Sequence, residues 1–240
     1  MQHSSLVNSS STAAESHLTL SFKKYSKEMS RKPLIVVMVS GNGSNLQAIL
    51  DAIADGKRET LKNAQVALVV SNRSAAYGLE RARKAGIPTL VKTLKSYKDQ
   101  GKSRIQYDID LSHEIHQLIL QSHGRDQPDL VVLAGFMHIL SPEFLSGFDA
   151  GRVINLHPAL PGAFDGAHAI DRAFNAFTDK LIAETGVMVH RVIPEVDRGD
   201  VIVQQTVPIL NTDTLESLEA RIHSVEHELI VKGVELMLSK

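Results

Sequence analysis

The chain has no cysteine among its 240 residues. That absence excludes a disulfide framework, a thiolate zinc site, an iron–sulfur cluster and a cysteine nucleophile. It is compatible with the cytosol without establishing it. An excess of charge of either sign is also missing: 26 Lys and Arg stand against 27 Asp and Glu, a formal net charge of -1. Such a balance argues against a protein whose main work is coating nucleic acid or an anionic membrane. No apolar run approaches the ~20 residues that span a bilayer. What is present is ordinary globular material, 43% hydrophobic, with chain enough for one large domain or two small ones and a substantial core.

Residues 1–32 differ from the rest. They are rich in serine, lack sustained periodicity, and carry Lys23, Lys24, Lys27, Arg31 and Lys32 against Glu15 and Glu28. They read as a flexible leader, with a transit peptide as the sharper alternative. From Pro33 onward a single domain over 33–240 is expected. Leu34–Val39 is an unbroken apolar run ended by Ser40-Gly41, as in a strand buried on both faces. Residues 44–56 have helical spacing, 66–70 form a second strand, and 75–86 a helix closed by Gly86. A short strand at 89–92, a long helix over 103–122, and buried strands at 129–134 and 152–156 follow. Strands alternating with helices predict an α/β fold with a doubly wound, mostly parallel sheet. The apolar segments 187–193 and 201–209 are joined by too few residues for a crossover helix, so they are expected to pair antiparallel. A closing helix runs from Thr214 to Leu238.

Four motifs carry chemistry. Ser40-Gly41-Asn42-Gly43-Ser44-Asn45 joins the first strand to a helix, where free N–H groups and the dipole suit a phosphate. It is not a dinucleotide fingerprint, because Leu46 replaces the third glycine and the second strand ends in Ser71-Asn72 without an acidic residue. A tight turn with no ligand is the alternative. Asn155-Leu156-His157-Pro158 ends a buried strand, and alternation puts Asn155 and His157 on one side. An amide there can hold an oxyanion while an imidazole moves a proton; a purely structural histidine is the alternative. Asp197, in the turn Glu195–Asp200, is either a solvated turn former or a carboxylate tuning a histidine. His223-Ser224-Val225-Glu226-His227 matches the inverted zincin pattern H-x-x-E-H. Only 13 residues follow His227, whereas inverted zincins draw a further glutamate from well downstream, so the match is read as accidental. His113 and His116 are read as exposed-face residues. A metal-dependent hydrolase using His223 and His227, and a non-catalytic nucleotide-binding module, stand as rival classes.

Taken in order, SGNGSN, GLERARKAGIP, DLVVLAGFMHILSP, INLHPALPG, GVMVHRVIPEVDRGDVI and VEHELI resemble the phosphoribosylglycinamide formyltransferases (glycinamide ribonucleotide transformylases), folate-dependent enzymes of purine synthesis. The resemblance runs from about Leu34 to Leu238, and HPALPGAFDGAHA is most similar to the fungal branch. It implies a Rossmann-like formyltransferase fold and transfer of a formyl group from 10-formyltetrahydrofolate to 5'-phosphoribosylglycinamide. Hydrolysis of 10-formyltetrahydrofolate, or formylation of another amine, is the nearest alternative. By resemblance, Gly43, Ser44 and Asn45 seat the ribonucleotide phosphate, Glu226 binds the ribose hydroxyls, and His223 touches the same substrate. Met137, His138, Ile139 and Leu140 line the pterin pocket, with Ile193, Val196 and Asp197 opposite and Arg104 near the glutamate tail. Asn155 holds the oxyanion and is also a folate contact, His157 acts as imidazolium, and Asp197 raises its pKa. His138 stands where an arginine is common, and His168 and His190 match positions near the site. No metal, nucleic acid or membrane is implied, and a cytoplasmic monomer or weak homodimer is expected. The leader's charge leaves the domain at -4, so attraction for two anionic substrates has to be local.

Overall fold

The computed structural model describes residues 31–239. The expected leader lies outside them except for its last two residues. The strands are β1 (Leu34–Val39), β2 (Gln65–Ser71), β3 (Thr89–Val91), β4 (Leu130–Leu133), β5 (Val153–His157), β6 (Glu184–Arg191) and β7 (Val201–Pro208). They form one seven-stranded sheet in the order β3-β2-β1-β4-β5-β6-β7. Pairing is parallel from β3 to β5 and antiparallel for β5–β6 and β6–β7. The mixed sheet expected from the short 194–200 connection is therefore present.

The helices are α1 (Ser44–Ala54), α2 (Tyr77–Lys84), α3 (Leu94–Asp99), α4 (Arg104–His123), α5 (Pro142–Leu145), α6 (Ala169–Thr178) and α7 (Leu215–Leu238). The alternation of β1 divides the core. Ile35, Val37 and Val39 pack on one face with Leu46 and Ile49 of α1 and Ile222 and Leu229 of α7. Leu34, Val36 and Met38 pack on the other with Tyr107, Leu111 and Ile115 of α4. All six β1 side chains are buried, which is why that strand reads as a continuous apolar run. Caps fix the helix starts. Ser103 accepts from the Gln106 N–H at 3.1 Å, and Thr214 and Ser217 form a reciprocal capping box.

Two expectations change here. The sequence reading assigned nothing between 157 and 186, yet α6 lies there, with Ala169, Ile170 and Ala173 buried. His116 is not on an exposed face. Its Nδ1 lies 2.7 Å from the Ser112 carbonyl and its ring packs on Phe148 with centroids 4.7 Å apart, because that side of α4 faces α5 and the turn behind it.

Strand order reverses on either side of β1, between β2 and β4. In open α/β sheets, ligands bind in the crevice outside the carboxyl ends of strands at such a point. Ser40-Gly41, Gly135-Phe136 and His157 all sit at that edge.

Candidate active site

The turn after β1 is built by close backbone approach. Gly43 has φ 74°, and a Cβ placed on it would lie 2.6 Å from the Gly78 Cα. Gly78 N–H donates to the Gly41 carbonyl at 3.1 Å, so the start of α2 is pressed against the turn. Arg81 of α2 clamps it further: Nε donates to the Asn42 carbonyl at 2.9 Å, Nη2 to Asn42 Oδ1 at 2.8 Å and Nη1 to Gln47 Oε1 at 3.1 Å. Gly43 provides no side-chain cap to α1, leaving the first N–H groups of the helix to point outward beside a fixed guanidinium. Arg81 had no signal in the sequence, since the clamp depends on a contact 39 residues away. Gly43→Ala should combine a left-handed strain with a backbone clash and cost about 1–3 kcal/mol. Urea unfolding checks this, and an unchanged midpoint would contradict the packing described.

The helix α7 meets this turn from the other side. Glu226 is buried and accepts from Asn45 Nδ2 at 3.1 Å. Burial pushes its carboxyl pKa up, against the opposing Asn45 hydrogen bond and His223. His223, one turn earlier on the same face, is exposed. His227 is held below the usual histidine range by burial, then by His223 and Arg81. Among the described residues no group of three or more His, Cys, Asp or Glu is placed to hold a metal ion.

The segment after β4 is tied to β1. Ser40 Oγ donates to Asn72 Oδ1 at 2.6 Å and accepts the Met137 N–H at 2.7 Å. Arg104, at the start of α4, donates to the Ile139 carbonyl. Met137 and Ile139 are 65% and 55% exposed and Ile193 is 38% exposed, apolar surface of the kind a flat heterocycle covers. His138 and Leu140 depart from the expectation that they line a pocket. Successive side chains of an extended segment alternate, so these two turn inward. Leu140 joins the core on the α4 side, and His138 Nε2 lies 2.6 Å from Asp108 Oδ1. Asp108 is fully buried and also accepts the Ser141 N–H at 3.0 Å. A carboxylate in that position needs partners, and the His138 ring supplies one.

The third group gathers on β5. Asn155 pairs with His190 across the antiparallel register and His157 with Met188. The connector 192–200 folds back over this face and brings in Asp197. Its Oδ1 accepts from Asn155 Nδ2 at 3.3 Å and lies 3.4 Å from His190 Nε2. Its Oδ2 accepts the Gly166 N–H at 2.7 Å and lies 3.4 Å from His157 Nδ1. The Asp197 backbone is left-handed, φ 55°, a conformation that persists where surroundings over-determine it. His190 is itself fixed, with Nδ1 2.8 Å from the Arg191 carbonyl and Nε2 3.2 Å from Asn155 Nδ2.

Two opposed effects act on the His157 ring. Burial pulls the His157 pKa below the usual histidine value, and the attraction of Asp197 only partly offsets it. Asp197 moves the other way from what its burial favours: His190, the Gly166 N–H and His157 hold it below the usual carboxylate range. Burial thus works against a standing charge on His157, while its partners favour the ionised form of Asp197. His157 Nε2 is shielded from solvent and has no hydrogen-bond partner, so it is the nitrogen free to exchange a proton with a bound group.

Of the remaining expected residues, Val196 is half-buried in the connector and His168 is exposed. His168 Nδ1 lies 3.6 Å from Asp171 Oδ2, outside the Asp197 cluster.

A glycine turn at a helix start, exposed apolar side chains, and an amide–imidazole–carboxylate group thus lie along one edge of a doubly wound sheet, an arrangement suited to a group-transfer enzyme. The formyl transferase family model matches residues 34–234, and the chain belongs to that family. It is 50% identical to phosphoribosylglycinamide formyltransferase of Schizosaccharomyces pombe over 211 residues, covering 85% of this chain and 97% of the relative. The Dictyostelium discoideum protein of the same name is 46% identical over 213 residues, covering 86% and 98%. The crystal structure of glycinamide ribonucleotide transformylase 1 from Geobacillus kaustophilus superposes with a TM-score of 0.75 at 36% identity, covering 87% of this chain and 100% of that one.

Proposed function

We propose that the protein is a phosphoribosylglycinamide formyltransferase: it moves the formyl group of 10-formyltetrahydrofolate to the amine of 5'-phosphoribosylglycinamide in purine biosynthesis. The observation that carries the reading is the convergence of Asn155, His157 and Asp197 within 3.3–3.4 Å contacts on the same sheet edge as the Gly43–Asn45 turn. The names of the relatives favour this over formylation of another amine.

The ribonucleotide phosphate takes the Gly43, Ser44 and Asn45 N–H groups. Glu226, already oriented by Asn45, faces the ribose hydroxyls, with His223 on the same side. The folate lies on Met137, Ile139, Ile193 and Val196, its glutamate tail toward Arg104. The backbone of His138 and Leu140 contributes to the ledge while their side chains support it from beneath. Proximity accounts for much of the rate: two bound reactants in the right geometry need no covalent enzyme intermediate.

In the reaction the amine nitrogen forms a bond to the formyl carbon, and the carbonyl π pair moves to oxygen. An Asn155 amide N–H holds the resulting oxyanion. The attacking nitrogen gives up a proton, which reaches His157 with Asp197 stabilising the imidazolium formed at that moment. Collapse of the tetrahedral carbon breaks its bond to the folate nitrogen, and His157 returns a proton to that leaving nitrogen. Burial, which disfavours the charged ring, suits a histidine that accepts a proton and then delivers it.

On this reading the enzyme works in the cytoplasm on two small anionic molecules, as a monomer or weak homodimer and without a metal. No helix among the described residues is long and apolar enough to cross a membrane. Following product folate by absorbance, with and without the ribonucleotide, tests the function. Folate release is expected only when the ribonucleotide is present; equal release without it would make the protein a hydrolase.

A further inference from the structure

The segment Phe164–Gly166 meets the catalytic pair at its two ends, Phe164 and Gly166, while Asp165 between them pairs with Arg198. The Phe164 carbonyl faces His157 and favours its protonated form. Asp165 Oδ2 pairs with Arg198 Nη2 at 2.5 Å. The Gly166 N–H donates to Asp197 Oδ2 and favours its ionised form. One short strap thus presents an acceptor to the imidazole and a donor to the carboxylate, and both stabilise the imidazolium–carboxylate state that the reaction passes through. The strap is not an easy conformation: Phe164 has φ 52° and is followed two residues later by Gly166 at φ 80°. Something has to hold it, and Arg172 of α6 does so from the solvent side. Its Nη2 donates to the Phe164 carbonyl and to the Asp165 carbonyl, the latter at 2.6 Å, and its Nε to the His168 carbonyl at 3.4 Å. Its guanidinium also lies 5.9 Å from the centroid of the Phe164 ring. An exposed arginine making this many contacts to loop carbonyls organises the loop more than it adds stability.

We propose that Arg172 is a positioning residue for formyl transfer, acting through the 164–166 strap on the Asp197–His157 pair, with the Arg198–Asp165 ion pair as a second clasp. The inference rests on the function proposed above for its kinetic consequence, but not for its structural one. The titratable and charged groups beside the pair are His190 from β6 and Asp165 and Arg198 from the two loops. Arg172→Met deletes none of the three, so it removes the hold on the strap without removing a charge that faces the pair.

Two measurements test it. In the substrate-free protein, NMR titration of the ring protons of His157 and the carboxyl carbon of Asp197 should shift in opposite directions in Arg172→Met. Loss of the carbonyl contact lowers the histidine pKa, and loss of the Gly166 N–H raises that of the aspartate. In steady-state assays, kcat should fall about tenfold while both KM values stay within about twofold. Arg172→Lys, which keeps a donor for the two carbonyls, should recover most of the loss, and Arg198→Met should reproduce a similar fall in kcat. Unchanged titrations in a folded Arg172→Met protein would overturn the inference, as would a rise in KM at constant kcat. If the wild-type protein transfers no formyl group, the proposed function fails, and the titrations still decide whether the strap sets the pair. Should Arg172→Met prove unfolded by circular dichroism, the same titrations and kinetics on Arg198→Met decide it, a kcat within twofold of wild type overturning the proposal.

Discussion

His157→Ala should give a folded protein whose kcat for formyl transfer is lower by about 10²–10⁴-fold, the range for removing a positioned general acid–base group. The ring is buried, but its Nε2 has no partner, so truncation removes an unsatisfied group along with some packing. Asp197 keeps Asn155, His190 and the Gly166 N–H, so the connector should stay in place. The melting temperature is accordingly expected within about 5 °C of wild type. Stopped-flow or steady-state assays beside a thermal melt check both halves. A variant with near-normal turnover would show that the proton moves by another route.

Asp197→Asn should lower kcat by about 10²–10³-fold while leaving the fold intact. Asparagine tolerates the left-handed backbone at φ 55° better than most residues, and its carbonyl oxygen can still accept the Gly166 N–H. What is lost is the negative charge, with the acceptor that Oδ1 offers to Asn155. In the wild type that charge lifts the His157 pKa against burial; without it burial acts with less opposition, so the histidine titration should move further down. The imidazolium formed during reaction then lacks its counter-ion in a site of low polarity. Activity near wild type, or a His157 pKa that rises, would contradict this role.

The parts of the fold that were legible in the sequence are those where burial is uniform or geometry leaves one option. β1, β2 and β4 are apolar on both faces, β5 is apolar on one, and the connection between β6 and β7 is too short for a helix. The helix α6 was passed over although Ile170, Ala173, Phe174 and Phe177 repeat at helical spacing. Its ten residues follow a loop of Gly, Pro and Ala that gives no start signal beyond His168. Asn155 and His157 were visible as a pair because a strand's period of two places them together. Asp197 looked like one more turn acid, since its significance comes from partners 31 and 42 residues away. The resemblance identified it, and the geometry explains it. The same limit hid Arg81, whose partners Asn42 and Gln47 lie more than 30 residues away, and Arg172, whose partners are backbone carbonyls that leave no trace in residue type. His138 has a partner that its motif does not show. Its place in the motif suggested a ligand contact, while the buried carboxylate of Asp108, four residues into α4, claims its side chain.

The most direct measurement follows the formyl carbon. Wild-type protein is mixed with 5'-phosphoribosylglycinamide and 10-formyltetrahydrofolate labelled with carbon-13 in the formyl group, and the products are read by NMR beside a parallel His157→Ala reaction. The label is expected on the glycinamide nitrogen, in step with tetrahydrofolate release, in the wild type, with transfer all but abolished in the variant. Label accumulating as formate, or transfer at equal rates in both proteins, would contradict the account.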